Sequence, residues 1–170
     1  MANQGVAAVK VEVLAHQLEV SRGSFYWHFK NRPELLEEIL KRWETETLWL
    51  IEESQQETTP EARLIKMFAL AEELCNLPDP EAAIFIWANQ ESRVQERVRI
   101  VETRRVNYLN QLLQDYGFDE IEARQKAEIG YFAFMGFWER RERDKKFDLS
   151  IKDFGKLLID LLLSPVRERK

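Results

Sequence analysis

Apolar residues recur along this chain at steps of three and four, the period of one face of an α-helix. Val94, Val98, Val101, Tyr108, Leu109, Leu112 and Tyr116 fall on one such stripe, and Ile151, Phe154, Leu157, Leu158, Leu161 and Leu162 on another. Ile159 and Leu163 lie off the second stripe. Helix-start signals stand ahead of these patterns. Asn31-Arg32-Pro33-Glu34 reads as a capping box with proline in the first turn. Thr59-Pro60-Glu61 and Asp79-Pro80-Glu81 repeat a capping residue followed by proline at the first helical position. Ser150 with Asp153 opens a further helix, and Tyr116-Gly117-Phe118-Asp119 closes one helix and caps the next. The spacing predicts two short helices before residue 30, then helices over 32–53, 60–77, 80–90, 92–116, 119–142 and 151–163. Strand signals do not recur, so the expected fold class is all-α.

Composition narrows the picture. The 170 residues suit one domain or two small ones, and 45% hydrophobic content with 11% aromatics is enough to fill a core, which excludes wholesale disorder. A single cysteine, Cys75, excludes an internal disulfide framework and a multi-cysteine metal cluster. The longest apolar run, Tyr131 to Trp138, is far short of the ~20 residues of a membrane helix. With no basic-then-apolar pattern at the N-terminus, the expectation is a soluble, reduced, cytoplasmic protein. The net charge of −5 hides an asymmetry: residues 1–43 hold six Lys/Arg against five Glu, and the remainder 19 against 25 acidic residues. Arg22, Lys30 and Arg32 crowd together in the first part, and steering fields are local. Enzyme chemistry finds little support. The two histidines, His16 and His28, lack a Glu three residues before them, so a di-metal carboxylate bundle is not indicated. No Gly-rich phosphate loop or serine nucleophile elbow is present either. No cofactor and no metal site are expected.

The informative stretch is 11–30, VEVLAHQLEVSRGSFYWHFK. Val11, Leu14, Ala15 and Leu18 share one face of a short helix, Glu19-Val20 makes a turn, and Ser21 caps a second helix running to about Trp27. Two short helices joined by a tight turn are a helix-turn-helix, whose second helix enters the DNA major groove. Arg22 suits a guanine edge and Ser24 offers a short hydroxyl. Tyr26, His28 and Lys30 supply phosphate donors. The bland alternative makes Tyr26 and His28 the aromatic end of a core helix, but Phe25 and Phe29 form one face while Tyr26 and Trp27 point elsewhere.

This stretch resembles the DNA-binding segment of the TetR family of bacterial transcriptional repressors. In that family a turn ending in Val-Ser precedes Gly-Ser/Thr, an aromatic-Tyr or Leu-Tyr pair, then His-Phe, a Lys and a Leu-rich helix. The matching residues are Val20, Ser21, Gly23, Ser24, Phe25, Tyr26, His28, Phe29, Lys30, Leu35 and Leu36. The resemblance implies that Arg22, Ser24 and Phe25 face base edges and that Ser21, Tyr26, Trp27, His28 and Lys30 face phosphates. Gly23 would let the helix lie close to the DNA backbone, and Leu14, Leu18 and Phe29 would pack the small core. Two departures stand out. The family places a helix of about fifteen residues before the motif, for which Met1 to Ala8 are too few, so the DNA-binding domain is expected to be N-terminally truncated. Glu19 stands where the family commonly has Gly, at roughly 1–2 kcal/mol if that residue is left-handed.

The implied organisation is a helix-turn-helix DNA-binding domain over 1–43 and a multi-helix ligand-binding and dimerisation domain over 44–170. Candidate ligand-binding residues are Met67, Phe68, Leu74, Cys75, Phe85, Trp87, Tyr108 and Tyr131, for each of which a plain core role is the commoner alternative. Gly130 to Trp138 is apolar on every side, and two helical glycines at ~1 kcal/mol each make sense where another backbone approaches closely. The last two helices are therefore expected to build a homodimer, the bland alternative being a well-filled monomer core. The expected function is a ligand-responsive repressor that binds a palindromic operator in double-stranded DNA, with an unknown small-molecule effector and no membrane partner. The rival is a helical dimer that binds a small molecule or protein without binding DNA.

Overall fold

The computed structural model describes residue 16 and residues 21–74, 81–144 and 146–164, without the side chains of Arg22, Phe25, Leu74 and Glu142. Among these residues there are seven helices and no strand: α1 (Arg22–His28), α2 (Arg32–Ser54), α3 (Pro60–Leu74), α4 (Glu81–Ala88), α5 (Ser92–Tyr116), α6 (Glu120–Arg143) and α7 (Ile151–Leu163). The fold is all-α, as the periodicity predicts. The first motif helix, with Leu14, Leu18 and the Glu19 turn, lies outside the described residues, as does the Asp79 cap.

Local chemistry explains the boundaries. The Asn31 side chain accepts the Glu34 backbone N–H at 2.9 Å, and the Glu34 carboxylate reaches back to accept the Lys30 N–H, so α2 begins in a reciprocal cap. Thr59 accepts from the Ala62 N–H at 3.2 Å, Asp119 from Glu122 at 2.8 Å and Ser150 from Asp153 at 3.0 Å. α5 ends where Gly117, at φ 124°, turns the chain so that the Phe118 N–H meets the Leu113 carbonyl at 3.1 Å.

The described residues form two compact units. The first takes those up to Leu48 together with Glu81–Val101; the second takes Trp49 to Leu74 and Glu102 onward. In the first, Leu36, Leu40 and Trp43 of α2 pack with Ile84, Trp87 and Ala88 of α4 and Val94, Val98 and Val101 of α5. A chain of polar contacts borders this core. Arg97 of α5 donates from Nε and Nη2 to the two oxygens of Glu44, each at 2.6 Å, and from Nη1 to Glu37. Arg93 donates from Nη1 to the other Glu37 oxygen at 2.6 Å and from Nε to Glu91, which also accepts the Trp87 indole N–H at 2.8 Å. The Arg93 hydrogen bond, followed by that of Arg97, holds the Glu37 carboxyl below the usual carboxylate range against the opposing effect of desolvation. A lowered folded-state value means that this stabilisation is present above the ordinary value near 4.5 and is lost as pH falls through the lowered one. Glu37→Gln is therefore expected to flatten the acid limb of a melting-temperature series taken from pH 7 to pH 3. An unaltered acid limb would rule out that contribution.

In the second unit α7 packs against α3 and α6. Val106, Leu113, Ala123, Ala127, Tyr131, Leu158 and Leu162 form one cluster, and Leu64, Leu112 and Ile159 another. A third gathers aromatics, with Phe137 stacked on Phe154 at 4.2 Å and Phe68 edge-on to both Phe134 and Phe154. Lys126 closes the C-terminal end of α7 by donating to the carbonyls of Leu162 at 2.9 Å and Ser164 at 2.6 Å.

α7 departs from the sequence reading. The side covered by this chain is Ile151, Gly155, Leu158, Ile159 and Leu162, whereas Leu157 and Leu161 are 62% and 61% exposed. Ile159, read as lying off the stripe, is core, and two residues of the stripe are surface. The helix is apolar on more than one side, so its own periodicity does not choose which side meets α3 and α6.

Candidate nucleic-acid interface

α1 is short and formed largely by its cap: the Ser21 hydroxyl oxygen accepts the Ser24 backbone N–H at 3.1 Å. Its last turn carries large side chains outward. Tyr26 is 55% and Trp27 83% exposed, where a core role would require burial. His28 and Lys30 are also exposed, the His28 ring standing edge-on to Trp27 at 4.9 Å. Ser24 is half-buried, Gly23 exposed, and Phe29 turned partly inward. Arg22 and Phe25 lie on the same helix, their side chains outside the described residues. A row of phenol, indole, imidazole and ammonium groups at one helix end can donate hydrogen bonds to phosphate oxygens, and the Gly23 backbone leaves room for close approach.

The expected ligand-binding residues separate. Phe85 and Trp87 belong to the core of the first unit, Phe85 edge-on to Trp43 at 6.4 Å. Met67, Phe68, Tyr108 and Tyr131 belong to the second unit. There the Tyr108 hydroxyl pairs with the fully buried Ser54 at 2.6 Å, and the Tyr131 hydroxyl donates to Glu102 at 3.3 Å. The side chains of Leu74 and Cys75 lie outside the described residues. An open cleft of about 280 Å³ in the second unit is lined by Glu72, Arg141, Phe147, Asp148, Leu149, Ser150 and Ile151, none of them among the ligand-binding candidates read from sequence. Arg141 over the Trp138 ring and Arg140 over Phe147 border it. The run of alternating charges from Glu139 to Lys146 reads as a solvated face and carries no hint of this fold-back.

No described helix is long and apolar enough to cross a membrane. The described N-terminal part is thus a serine-capped helix with an outward aromatic and basic edge, followed by a 23-residue helix. Residues 1–39 match the family model of the bacterial regulatory proteins of the tetR family. The fold is shared with three solved regulators. The transcriptional regulator FadR from Bacillus subtilis, in complex with stearoyl-CoA, is 18% identical with a TM-score of 0.65, over 98% of this chain and 93% of that one. A TetR transcriptional regulator from Legionella pneumophila is 13% identical with a TM-score of 0.67, over 94% and 87%. The ketosteroid transcriptional regulator KstR2 of Mycobacterium tuberculosis is 19% identical with a TM-score of 0.59, over 95% and 86%. No curated protein matches significantly. The N-terminal segment thus matches the tetR family of bacterial regulatory proteins, and the fold is the one seen in these solved transcriptional regulators.

Proposed function

We propose that the chain is a ligand-responsive repressor that binds a palindromic DNA site as a dimer, each α1 reading one half-site. The observation that carries this reading is the exposed Tyr26-Trp27-His28 edge of a serine-capped helix, within the segment the family model matches. Arg22, Ser24 and Phe25 read base edges, while Ser21, Tyr26, Trp27, His28 and Lys30 hold phosphates. Residues 1–43 serve DNA and 44–170 serve effector and dimer. Selection from a random duplex pool at near-physiological salt tests this directly and is expected to enrich a palindrome. Lys30→Ala should then weaken binding to all duplexes about equally and lower the slope of log affinity against log salt by about 1. A chain that enriches no sequence is not this repressor.

The dimer is assigned to α6 and α7. Ile129 and Phe132 on α6, and Leu157 and Leu161 on α7, are 58–66% exposed, a combination of large apolar side chains that water disfavours. Gly130 is accounted for by its own chain, since a Cβ there would meet Leu109 and Leu162 at 3.1 Å. Gly136 faces open space, which leaves room for a partner's backbone. Phe132→Asp is expected to leave the fold intact and shift the protein to monomer at micromolar concentration in sedimentation velocity. An unchanged dimer would move the interface elsewhere.

The effector is inferred to be a largely apolar small molecule received by the second unit, where Met67 and Met135 are pliable and the Phe68, Phe134, Phe137 and Phe154 rings dominate. The stearoyl-CoA bound by the Bacillus regulator supports this chemistry. Such a molecule can weaken DNA binding only by as much as its affinity differs between the two states.

A further inference from the structure

Two kinds of contact join α2 to α5 inside the first unit. The apolar one, Leu36, Leu40 and Trp43 against Val94, Val98 and Val101, holds the helices together but has no direction. The polar one is directional. Arg97 is bracketed by Glu37 and Glu44, seven residues apart and thus about 10.5 Å along one face of α2. Its planar guanidinium meets Glu44 through two parallel hydrogen bonds of 2.6 Å, and Arg93, one turn earlier on α5, grips the second Glu37 oxygen. Arg97, Glu44 and Glu37 are only 20%, 26% and 29% exposed, unlike the within-helix pairs Lys41–Glu38 and Arg42–Glu46 nearby. A one-residue slip of α2 would turn its face by about 100° and break the fork.

We propose that the Arg97 fork between Glu37 and Glu44, backed by Arg93, is the positioning device that fixes the rotation and register of α2 on α5, and through them the aim of α1 at DNA. The aim of α1 follows α2 because only residues 29–31 separate them and because the Asn31 and Glu34 caps span that link. The start of α5 matters in turn because the second unit, which holds the proposed dimer face, resumes on this same helix at Glu102. Desolvation offsets much of the attraction in such partly buried ion pairs, so the role given to this one is the choice of arrangement and not bulk stability. The inference rests on the dimeric DNA-reading function proposed above.

The test reads spacing and not affinity. One base pair added between half-sites moves the second by about 3.4 Å and turns it by about 34–36°. The full chain is first used to select its palindrome, then offered a library in which only the spacer length varies. Wild type is expected to prefer one spacer roughly tenfold over its neighbours. Arg97→Met should keep the same half-site sequence but spread over adjacent spacers, and Arg97→Lys, charged but unable to fork, should behave like it. Glu44→Gln, which keeps the side-chain shape, decides the matter if the Arg97 variants do not fold, as followed by melting. A folded variant with the wild-type spacer preference overturns the proposal. Absence of any palindrome with wild type instead overturns the DNA-reading function on which it rests.

Discussion

Leu40→Ala is expected to cost about 2–5 kcal/mol of stability, read as a lower denaturant midpoint with an unchanged slope. Leu40 has no exposed surface and sits among Leu36, Trp43, Ile84, Trp87, Val94 and Val98. Truncation removes the transfer free energy of three carbons and leaves a void that the surrounding indoles and branched side chains, held on three helices, fill only in part. Lys41→Ala, one position on, provides the contrast. Its partner Glu38 is 52% exposed and Lys41 itself 54%, so losing that solvent-screened pair should leave the midpoint nearly unchanged. A Leu40→Ala loss as small as the Lys41→Ala loss would show that the α2, α4 and α5 core is not formed as described.

Gly155→Val should cost about 3 kcal/mol and lower the melting temperature by roughly 6–12 °C. A Cβ at position 155 would stand 2.7 Å from Cγ of Phe68 and 3.0 Å from its Cβ. These atoms are at the root of the side chain, so no rotation of the ring relieves the clash; α3 and α7 must move apart. Phe68 is in turn held by Phe134 and Phe154, with ring centroids at 6.1 and 6.2 Å. The usual benefit of removing glycine from a helix, up to ~1 kcal/mol for alanine, is smaller than this overpacking and smaller still for a β-branched residue. A Gly155→Val protein as stable as wild type would mean that α7 does not approach α3 at this point.

Helix positions were legible in the sequence wherever local chemistry decides them. Asn31, Thr59, Asp119 and Ser150 each cap an N–H three residues on, and Gly117 turns the chain at a positive φ, so boundaries followed from contacts within one turn. The short helix α1 was legible for the same reason: Ser21 caps it, and Tyr26 and Trp27 stand exposed on it. The ligand-binding candidates were less legible. An aromatic on an apolar stripe looks alike whichever core receives it, and Phe85 and Trp87 went to one unit while Met67, Phe68, Tyr108 and Tyr131 went to the other. The cleft at 147–151 gave no signal as a site, because Ser150 and Ile151 read only as a helix start and its apolar stripe until the chain places them beside Glu72 and Arg141.

The sequence by itself determined the all-helical class and the ends of the helices, because capping, proline, glycine and the 3.6-residue period all act within a few residues. Tertiary structure alone decided that Leu157 and Leu161 of α7 stay exposed while Ile159 is buried, that Gly155 faces Phe68, and that Arg97 lies between Glu37 and Glu44. Those outcomes join residues more than fifty positions apart or choose between two apolar sides of one helix. Periodicity says that a side is apolar; only the neighbouring helix says which side is covered.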